Sequence, residues 1–376
     1  MKKVKILQAG DLHFDTPFKD LNNKISLISK EELLEVFSKI ISICIDNCVD
    51  ILLLTGDIFD NLTVDKKTLV FIKSQLQRVK DINIFISPGN HDPYYEKSFY
   101  KMIEWPSNVH IFKGAVENIF LDNLDVVIWG AGFNSHHVKK SMLKNIEVDY
   151  RYINIMVIHG DISNDNEDND YNPITLKDIE NSKLDYIAIG HRHNYSGTLR
   201  EKNTCYAYAG CPQGRGFDEL GDKGVIIGEV SKGVVDLRFL KTSKRNYYVV
   251  DVDISNVVSY EEIKDKIVSS INEEERKNNL YKIILKGEIE SYIKLNENVI
   301  LEKVKDYFYF VKIIDNTGVK LDFDKISKDY SIKGVYAKKL LEKLEDTNYD
   351  DEVIKMALKI GIQCLSDEEV NLNDYR

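Results

Sequence analysis

The sequence has few cysteines, and none of them forms a CxxC pair. The five are scattered along the chain at Cys44, Cys48, Cys205, Cys211 and Cys364. An odd, scattered set is typical of reduced thiols in a cytosolic protein. It offers neither a disulfide framework nor the paired thiolates of a structural zinc site.

Long apolar runs are absent as well. No stretch approaches the roughly 18 apolar residues that a membrane-spanning helix needs. The first residues, MKKVKILQAGDLH, begin like a signal peptide, but Gly10 and Asp11 interrupt the apolar run after a few residues. We therefore expect a soluble chain with a cytoplasmic location.

Positive charge is scarce too. The chain has 51 Lys and Arg against 61 Asp and Glu, which gives a formal net charge of −10, and it contains no Lys/Arg block of five or more residues. The chain therefore lacks the overall excess of basic residues that is usually expected of a nucleic-acid-binding protein. This balance argues against tight independent binding to DNA, but not against chemistry on DNA at a metal site.

Short apolar runs that alternate with helical patterns make up the first two thirds of the chain. The runs are rich in Ile, Leu and Val, which is typical of strands buried on both faces of a sheet. A capping box at Ser29 and Glu32 predicts the start of one helix, and a second is predicted at 65–79. The predicted strands are 4–9, 51–54, 82–86, 126–131, 153–158 and 186–189. The alternation predicts an α/β fold.

The pattern changes at about residue 245. The 376 residues, of which 43% are hydrophobic, are enough for one large domain and a smaller one. We predict a first domain at 1–244, a small α/β domain at 245–316 and a helical tail at 317–376. A capping box at Ser259 and Glu262 predicts a helix in the small domain, and the tail shows amphipathic patterns at 332–344 and 353–365. The segment DISNDNEDNDYN at 161–172 is predicted to be a mobile, solvated loop.

Five of the apolar runs end in His, Asp or Asn, usually beside glycine. Because ligands bind outside the carboxyl ends of strands in an open α/β sheet, we expect these side chains to converge. The segments are Gly10-Asp11-Leu12-His13, Thr55-Gly56-Asp57, Gly89-Asn90-His91-Asp92, His159-Gly160-Asp161 and Gly190-His191-Arg192-His193.

The candidate metal ligands in these segments are imidazoles, carboxylates and an amide, without thiolate. Such donors favour a divalent ion such as manganese, iron or magnesium over structural zinc. There are more donors than one ion needs: Asp11, His13, Asp57, Asn90, His159, His191 and His193. They are enough for two ions if one carboxylate bridges. Two ions ~3.5–4 Å apart can clamp the attacking and leaving oxygens of a phosphoryl displacement.

Each motif alone also has an ordinary structural interpretation. A single GNHD segment is more often a turn than a site, and a single histidine can be a hydrogen-bonded interior group. Five such motifs in order, each at the end of a strand, rarely arise by chance. His110, His136 and His137 lie outside the pattern, and we interpret them as structural or surface groups. Tyr94 and Tyr95 could stack on bases, but packing is the preferred interpretation.

The ordered motifs DxH, GD, GNHD, HGD and GHxH resemble those of the calcineurin-like metallophosphoesterase family. Within it, the chain is similar to the SbcD-type DNA repair nucleases and their YhaO-like relatives. GDIFD at 56–60 and GNHD at 89–92 fit that branch, and CPQGRGFDELGDKG at 211–224 further resembles the YhaO-like group. Protein phosphatases of the superfamily have Arg and Glu where this chain has Asn61 and Asp92.

The resemblance implies a β-sandwich flanked by helices, with the small α/β domain as a cap, and two metal ions. Manganese is favoured, with magnesium or iron as alternatives. It implies that Asp11, His13, Asp57 and His193 hold one ion, and that Asp57, Asn90, His159 and His191 hold the other. His91 is then the catalytic group at the scissile phosphate, and Asp92 orients His91 or caps a following helix. Asp60 stands where some relatives have a second catalytic histidine.

The activity that the resemblance implies is that of a DNA exonuclease or endonuclease acting in DNA repair and recombination. A metal-bridged hydroxide would attack phosphorus in line, while His91 stabilises or protonates the departing oxygen. Arg192 and Arg215 are predicted to bind the substrate, since guanidinium groups match phosphate oxygens. The alternative for Arg192 is a pair with a surface carboxylate.

Two other functions stay open at this point. A phosphodiesterase or phosphatase for small nucleotides or phosphoproteins fits the acidic composition, and a non-catalytic scaffold would keep the motifs without turnover. SbcD-like nucleases work with a coiled-coil ATPase, so residues 330–376 are predicted to bind an SbcC-like ATPase through their apolar faces. Burial of that tail against the protein's own core is the alternative. A homodimer is also compatible with the resemblance.

Overall fold

The computed structural model describes residues 2–60, 64–144, 146–164, 169–290, 295–320, 322–344 and 350–365. Asn61 and residues 165–168 of the predicted loop lie outside the described residues, as does the end of the predicted tail. Two compact units are present: Met1–Val249 with Asn278–Leu280, and Val250–Lys277 with Tyr281–Arg376. The three-part division at 244 and 316 stays a prediction.

Within its described residues, the first unit contains two six-stranded sheets and three α-helices. Its elements are β1 (Lys3–Ala9), α1 (Asn23–Asp46), β2 (Ile51–Leu54), α2 (Lys66–Gln77), β3 (Asn83–Ile86), β4 (Val109–Ile111), β5 (Glu117–Leu121), β6 (Val126–Gly130), β7 (Ile153–His159), α3 (Leu176–Ser182), β8 (Tyr186–Gly190), β9 (Leu199–Glu201), β10 (Thr204–Tyr208), β11 (Gly224–Ser231) and β12 (Val234–Lys241). One sheet has the order β12-β11-β1-β2-β3-β4 and the other β5-β6-β7-β8-β10-β9. The strands predicted from the apolar runs are confirmed.

The two sheets pack face to face, with helices on their outer faces. Side chains such as Leu53 of β2 and Ile155 of β7 share one buried cluster between the sheets. Phe37 of α1 packs with the outward side chains of the first sheet, and Ile179 of α3 packs with those of the second. Because both faces of each central strand are covered, the strands are apolar on both sides. The predicted sandwich flanked by helices is confirmed.

Helix α1 begins earlier than its predicted capping box. Asn22 is the N-cap, and its side chain accepts a hydrogen bond from the backbone N–H of Ile25. Ser29 and Glu32 lie inside the helix, so the predicted start there is wrong. Glu32 is buried and accepts a hydrogen bond from Arg245 Nε at 2.9 Å, a tertiary contact that explains the residue without a cap.

The second unit combines small sheets with helices. The elements that lie wholly or mostly in this unit are β13 (Tyr247–Asp253), α4 (Tyr260–Ser269), α5 (Glu273–Asn278), β14 (Leu280–Lys286), β15 (Glu288–Glu290), α6 (Glu297–Val304), β16 (Phe310–Asp315), β17 (Gly318–Lys320), α7 (Phe323–Ser327), α8 (Ile332–Leu344) and α9 (Asp351–Cys364). One sheet has the order β13-β14-β16, and β15 pairs with β17. Ser259 caps α4 by accepting from the N–H of Glu262, as predicted.

Helices α8 and α9 pack against each other. Ala337 of α8 and Leu358 of α9 are fully buried in a cluster that also includes Phe323 of α7. The Tyr336 hydroxyl donates to the Ala357 carbonyl at 2.7 Å, and a Cβ at Gly361 would lie 2.2 Å from the Tyr336 ring, so only glycine allows this close approach. None of the helices in the described part of the chain is long and apolar enough to cross a bilayer.

Candidate metal centre

The seven side chains predicted as metal ligands lie together in the first unit, where strands of both sheets end. Asp11 and His13 follow β1, Asp57 follows β2, Asn90 follows β3, His159 ends β7, and His191 and His193 follow β8. Asp57 Oδ2 lies 3.6 Å from His13 Nε2 and 3.5 Å from His159 Nε2. Asp11 Oδ1 lies 3.9 Å from His193 Nε2. The rings of His159 and His191 are 5.3 Å apart between centroids.

The backbone of these loops is strained. The φ angle is +52° at Asp11, +45° at His13, +48° at Asp57 and +111° at His191. Residues other than glycine rarely adopt positive φ angles. Each such residue costs roughly 1–3 kcal/mol, and such strain concentrates at functional sites. Hydrogen bonds between loops hold this conformation: the N–H of His13 donates to the Asp57 carbonyl at 2.9 Å.

Close packing at this edge requires glycine in the GNHD turn. A Cβ at Gly89 would lie 2.2 Å from Asp57 Oδ1, and its backbone N–H donates to Asp92 at 2.7 Å. The turn formed by Pro88 and Gly89 therefore brings the chain after β3 directly against the Asp57 carboxylate. This contact places Asn90 and His91 beside Asp57.

Within the described residues, ring nitrogens of His13 and His159 face no hydrogen-bond donor. Both ring nitrogens of His13 are buried without a hydrogen-bond partner among the described residues. His159 Nδ1 donates to the Thr55 carbonyl at 2.9 Å, so its Nε2 carries the lone pair. That nitrogen faces two acceptors, Asn90 Oδ1 at 3.0 Å and Asp57 Oδ2. Three acceptors that point at one another fit a cation.

Burial acts on the charges of the same groups. It lowers the pKa of His159 to about 4 and that of His191 to about 4, so both rings are neutral at pH 7, as metal ligands must be. It raises the pKa of Asp11 to about 7 and that of Asp57 above its usual value. Two carboxylates, each about 1% exposed, gain a counter-charge if divalent ions bind, so the donor set fits the predicted metal.

Asp92 holds the Asp57 loop. Its carboxylate accepts from the backbone N–H groups of Ile58 at 2.7 Å and of Asp57 and Phe59 at 3.2 Å, and from the Tyr100 hydroxyl at 2.6 Å. The next helical turn is capped by Ser98 instead, so the predicted helix-capping role of Asp92 is wrong. These contacts make Asp92 a positioning residue for the loop that carries Asp57.

His91 lies beside the predicted ligands and is paired with Asp60. Its Nδ1 is 3.2 Å from Asp60 Oδ1, its ring is 4.7 Å from that of His13, and about a third of its side chain is exposed. Burial alone would lower the pKa of His91, but the hydrogen bond to Asp60 and the charge of Asp57 outweigh burial and raise it. The sequence indicated Asp60 only as a missing histidine, and the pairing could not be read from it.

The two arginines predicted to bind substrate are held by carboxylates. Arg192 Nε donates to Asp161 at 2.7 Å, and Arg215 Nη2 donates to Glu219 at 2.5 Å. This is the alternative that the sequence left open for Arg192. The substrate-binding role of both residues stays a prediction. Glu219 lies four residues after Arg215 in the segment 211–224, which the resemblance singles out, but the sequence predicts no role for Glu219 itself.

The remaining histidines have structural contacts. His136 Nδ1 lies 2.8 Å from the Asn90 carbonyl oxygen, which ties this ring to the GNHD turn. His110 pairs with Glu117 at 3.1 Å, and His137 lies 3.5 Å from Asp170. Tyr94 stacks with Tyr100, with 6.5 Å between ring centroids.

Comparisons with known proteins find similarity to phosphoesterases. Residues 4–195, just over half of the chain, match the sequence model of the family described as "Calcineurin-like phosphoesterase". "Uncharacterized metallophosphoesterase YhaO" of Bacillus subtilis (strain 168) is 29% identical over 67% of this chain, and the match spans 64% of that protein, just under two thirds of its length.

Other relatives carry a function in their names. "DNA double-strand break repair protein Mre11" of Sulfolobus acidocaldarius is 22% identical over 95% of this chain and 94% of that protein. The protein of the same name from Thermoplasma acidophilum is 27% identical over 69% of this chain and 72% of its own length. Among solved structures, TT1561 of Thermus thermophilus has a TM-score of 0.40 at 10% identity, covering 64% of this chain and 99% of TT1561, a likeness too low to support an inference.

Proposed function

Because the chain belongs to the calcineurin-like phosphoesterase family, we propose that it is a hydrolase that uses two divalent metal ions to cleave phosphodiester bonds in DNA. The observation that carries the proposal is the convergence of buried nitrogen and oxygen atoms whose lone pairs face one another around Asp57. A structural role does not explain why both ring nitrogens of His13 are buried without a partner among the described residues.

The donor set divides around Asp57. We propose that Asp11, His13, Asp57 and His193 hold one ion and that Asp57, Asn90, His159 and His191 hold the other. Asp57 belongs to both sets because its carboxylate lies near His13 on one side and His159 on the other. When bound, two such ions polarise a phosphate and lower the pKa of water towards neutrality. We favour manganese, with magnesium or iron as alternatives.

The role of His91 follows from its place beside these donors. It is partly exposed, and its Nδ1 lies within hydrogen-bond distance of Asp60. An acceptor at Nδ1 fixes the orientation of an imidazole, and a carboxylate favours its protonated form. We propose that His91 stabilises or protonates the departing oxygen of the phosphodiester. Asp60 and Asp92 are positioning residues, the first for His91 and the second for the Asp57 loop.

DNA is proposed as the substrate because of the relatives. Proteins named for DNA double-strand break repair align with most of this chain, including the segment after the family match. One observation favours a different substrate: the net charge of −10 gives the chain no general attraction for a polyanion. A small nucleotide or another phosphoester is therefore the second candidate.

One experiment separates these substrates. The purified chain is incubated with manganese and end-labelled single- and double-stranded DNA, and with a chromogenic phosphodiester, before and after chelation. We expect shortened DNA products only when metal is present, resolved by length on a gel. Turnover of the chromogenic diester with intact DNA would favour the small-substrate function. Intact substrates throughout would refute the proposal.

We also propose that the α8–α9 hairpin binds an SbcC-like coiled-coil ATPase. The two helices bury one face against each other. Several large apolar side chains point to solvent instead: Ile332, Val335, Val353 and Met356. Exposed apolar side chains on adjacent helices suit a helical partner, whose contacts could also give an acidic enzyme its hold on DNA.

A further inference from the structure

A buried carboxylate contacts the ring of His193 from the side away from Asp11. Glu219 Oε1 lies 2.7 Å from His193 Nδ1, and the Glu219 side chain is 5% exposed. Arg215 Nη2 also lies 3.1 Å from Nδ1, but a guanidinium can only donate. Glu219 is the nearer partner, and an ionised carboxylate can only accept, so we assign Nδ1 a proton that it donates to Glu219. In the neutral ring the other nitrogen, Nε2, then keeps its lone pair, and this nitrogen lies 3.9 Å from Asp11 Oδ1.

Arg215 balances the charge of this carboxylate. Its backbone N–H donates to Glu219 Oε2 at 2.8 Å, and its Nη2 donates to Oε1 at 2.5 Å. An isolated buried carboxylate would be costly, and a bidentate arginine is the side chain that best offsets that cost. Arg215 therefore has a structural role, the pairing with Glu219, that does not require contact with a substrate phosphate.

The same segment holds the backbone of His193. The N–H of Cys211 donates to the His193 carbonyl at 3.2 Å, and Lys223 Nζ donates to the same oxygen at 3.0 Å. Lys223 is itself buried and also donates to Asn194 Oδ1 at 2.5 Å. Both the ring and the carbonyl of His193 are therefore fixed by residues of the segment 211–224.

We propose that Glu219 is a positioning residue for the metal ligand His193, with Arg215 as its counter-charge. The inference rests on the two-ion site of the proposed function and assigns the segment CPQGRGFDELGDKG to the support of that site. A carboxylate on the second nitrogen of a metal-binding histidine fixes the tautomer and makes the ring a stronger ligand, and its removal typically weakens metal binding 10–100-fold.

The test measures manganese binding to the full chain in the absence of DNA, by calorimetric titration and by elemental analysis after desalting. Glu219→Gln should bind the His193 ion about 10-fold more weakly than the parent, and Glu219→Ala about 100-fold more weakly. The ion assigned to Asn90, His159 and His191 should bind as in the parent. The matched control is Glu32→Gln, which alters a buried carboxylate paired with Arg245 elsewhere in the first unit and should leave both ions bound.

Several outcomes would overturn the inference: two ions bound with parental affinity in Glu219→Ala, loss of both ions together, or an equal loss in Glu32→Gln. If the Glu219 variants do not fold, ring ¹⁵N spectra of the unaltered chain loaded with zinc decide, since a proton on Nε2 of His193 contradicts the assignment. A parent that binds two ions without cutting DNA would refute the proposed function and leave this inference standing.

Discussion

The loops around Asp57 and the α8–α9 hairpin depart from ordinary protein surfaces in opposite ways. The loops bury polar side chains whose lone pairs lack a donor among the described residues, as at His13. The hairpin exposes apolar side chains, as at Val335 and Val353. A buried polar group without a partner is unfavourable, and exposed apolar side chains on adjacent helices are a common feature of binding surfaces. Under the proposed function, metal ions would satisfy the polar groups of the loops, and a partner protein would cover the apolar side chains of the hairpin.

The largest effect is expected for Asp57, which belongs to both proposed ion sites. Asp57→Ala should reduce manganese from close to two ions per chain to close to none, and DNA cleavage should fall to the level of chelated protein. Elemental analysis of desalted protein gives the stoichiometry.

Asp185→Asn is the control for this change. Asp185 is also buried, but it accepts from Asn154, Lys232 and Gly233 at the opposite ends of the strands, so both ions should remain. A parent stoichiometry of one ion that Asp57→Ala does not change would refute the two-ion site.

The next effect concerns His91, which neither proposed ion needs. His91→Ala should keep both ions and lose roughly 10²–10⁴-fold in the rate of DNA cleavage, the usual value of acid–base help from a side chain. Asp60→Asn should lose less, since the amide oxygen still accepts from Nδ1. Cleavage by His91→Ala at the parental rate would show that the catalytic role is wrong.

Metal removal should separate the two regions. When the free metal concentration is 100 times the dissociation constant, each bound ion stabilises the folded chain by about 2.7 kcal/mol. Chelation should therefore speed amide hydrogen exchange in the loops after β1, β2 and β8 and leave exchange in α8 and α9 unchanged. If the loops exchange their amide hydrogens equally slowly with and without metal, they need no ion.

Sequence reasoning predicted these loops because every motif directly follows an apolar strand. The carboxyl ends of the strands then bring the candidate metal ligands together. It named Asp92 in other roles and missed Glu219, the two groups that hold these loops. Asp92 binds the backbone around Ile58, and Glu219 binds His193, through contacts between segments distant in the chain. Spacing does not encode such contacts. The start of α1 was wrong for a related reason: Glu32 resembled part of a cap but pairs with Arg245, 213 residues away.

The smallest effect on the isolated chain is expected in the hairpin. Val335 is 57% exposed and Val353 is 61% exposed, so glutamate at either position should change the free energy of unfolding by no more than about 0.5 kcal/mol. Metal binding and cleavage of short DNA should also be unchanged. If the hairpin binds the ATPase through these side chains, Val335→Glu and Val353→Glu should abolish co-purification of the two proteins, because binding would bury an unpaired charge.

A matched control lies in the same unit. Val299 on α6 is 40% exposed and outside the hairpin, so Val299→Glu should still bind the ATPase. Leu358→Ala gives the opposite pattern: this side chain is fully buried between the helices, and its loss should cost about 2–5 kcal/mol of local stability. If the glutamate variants bind the ATPase as the parent does, the exposed valines are ordinary surface residues. If instead they destabilise the hairpin as Leu358→Ala does, these valines are buried within the protein itself, and the contrast with the metal loops fails.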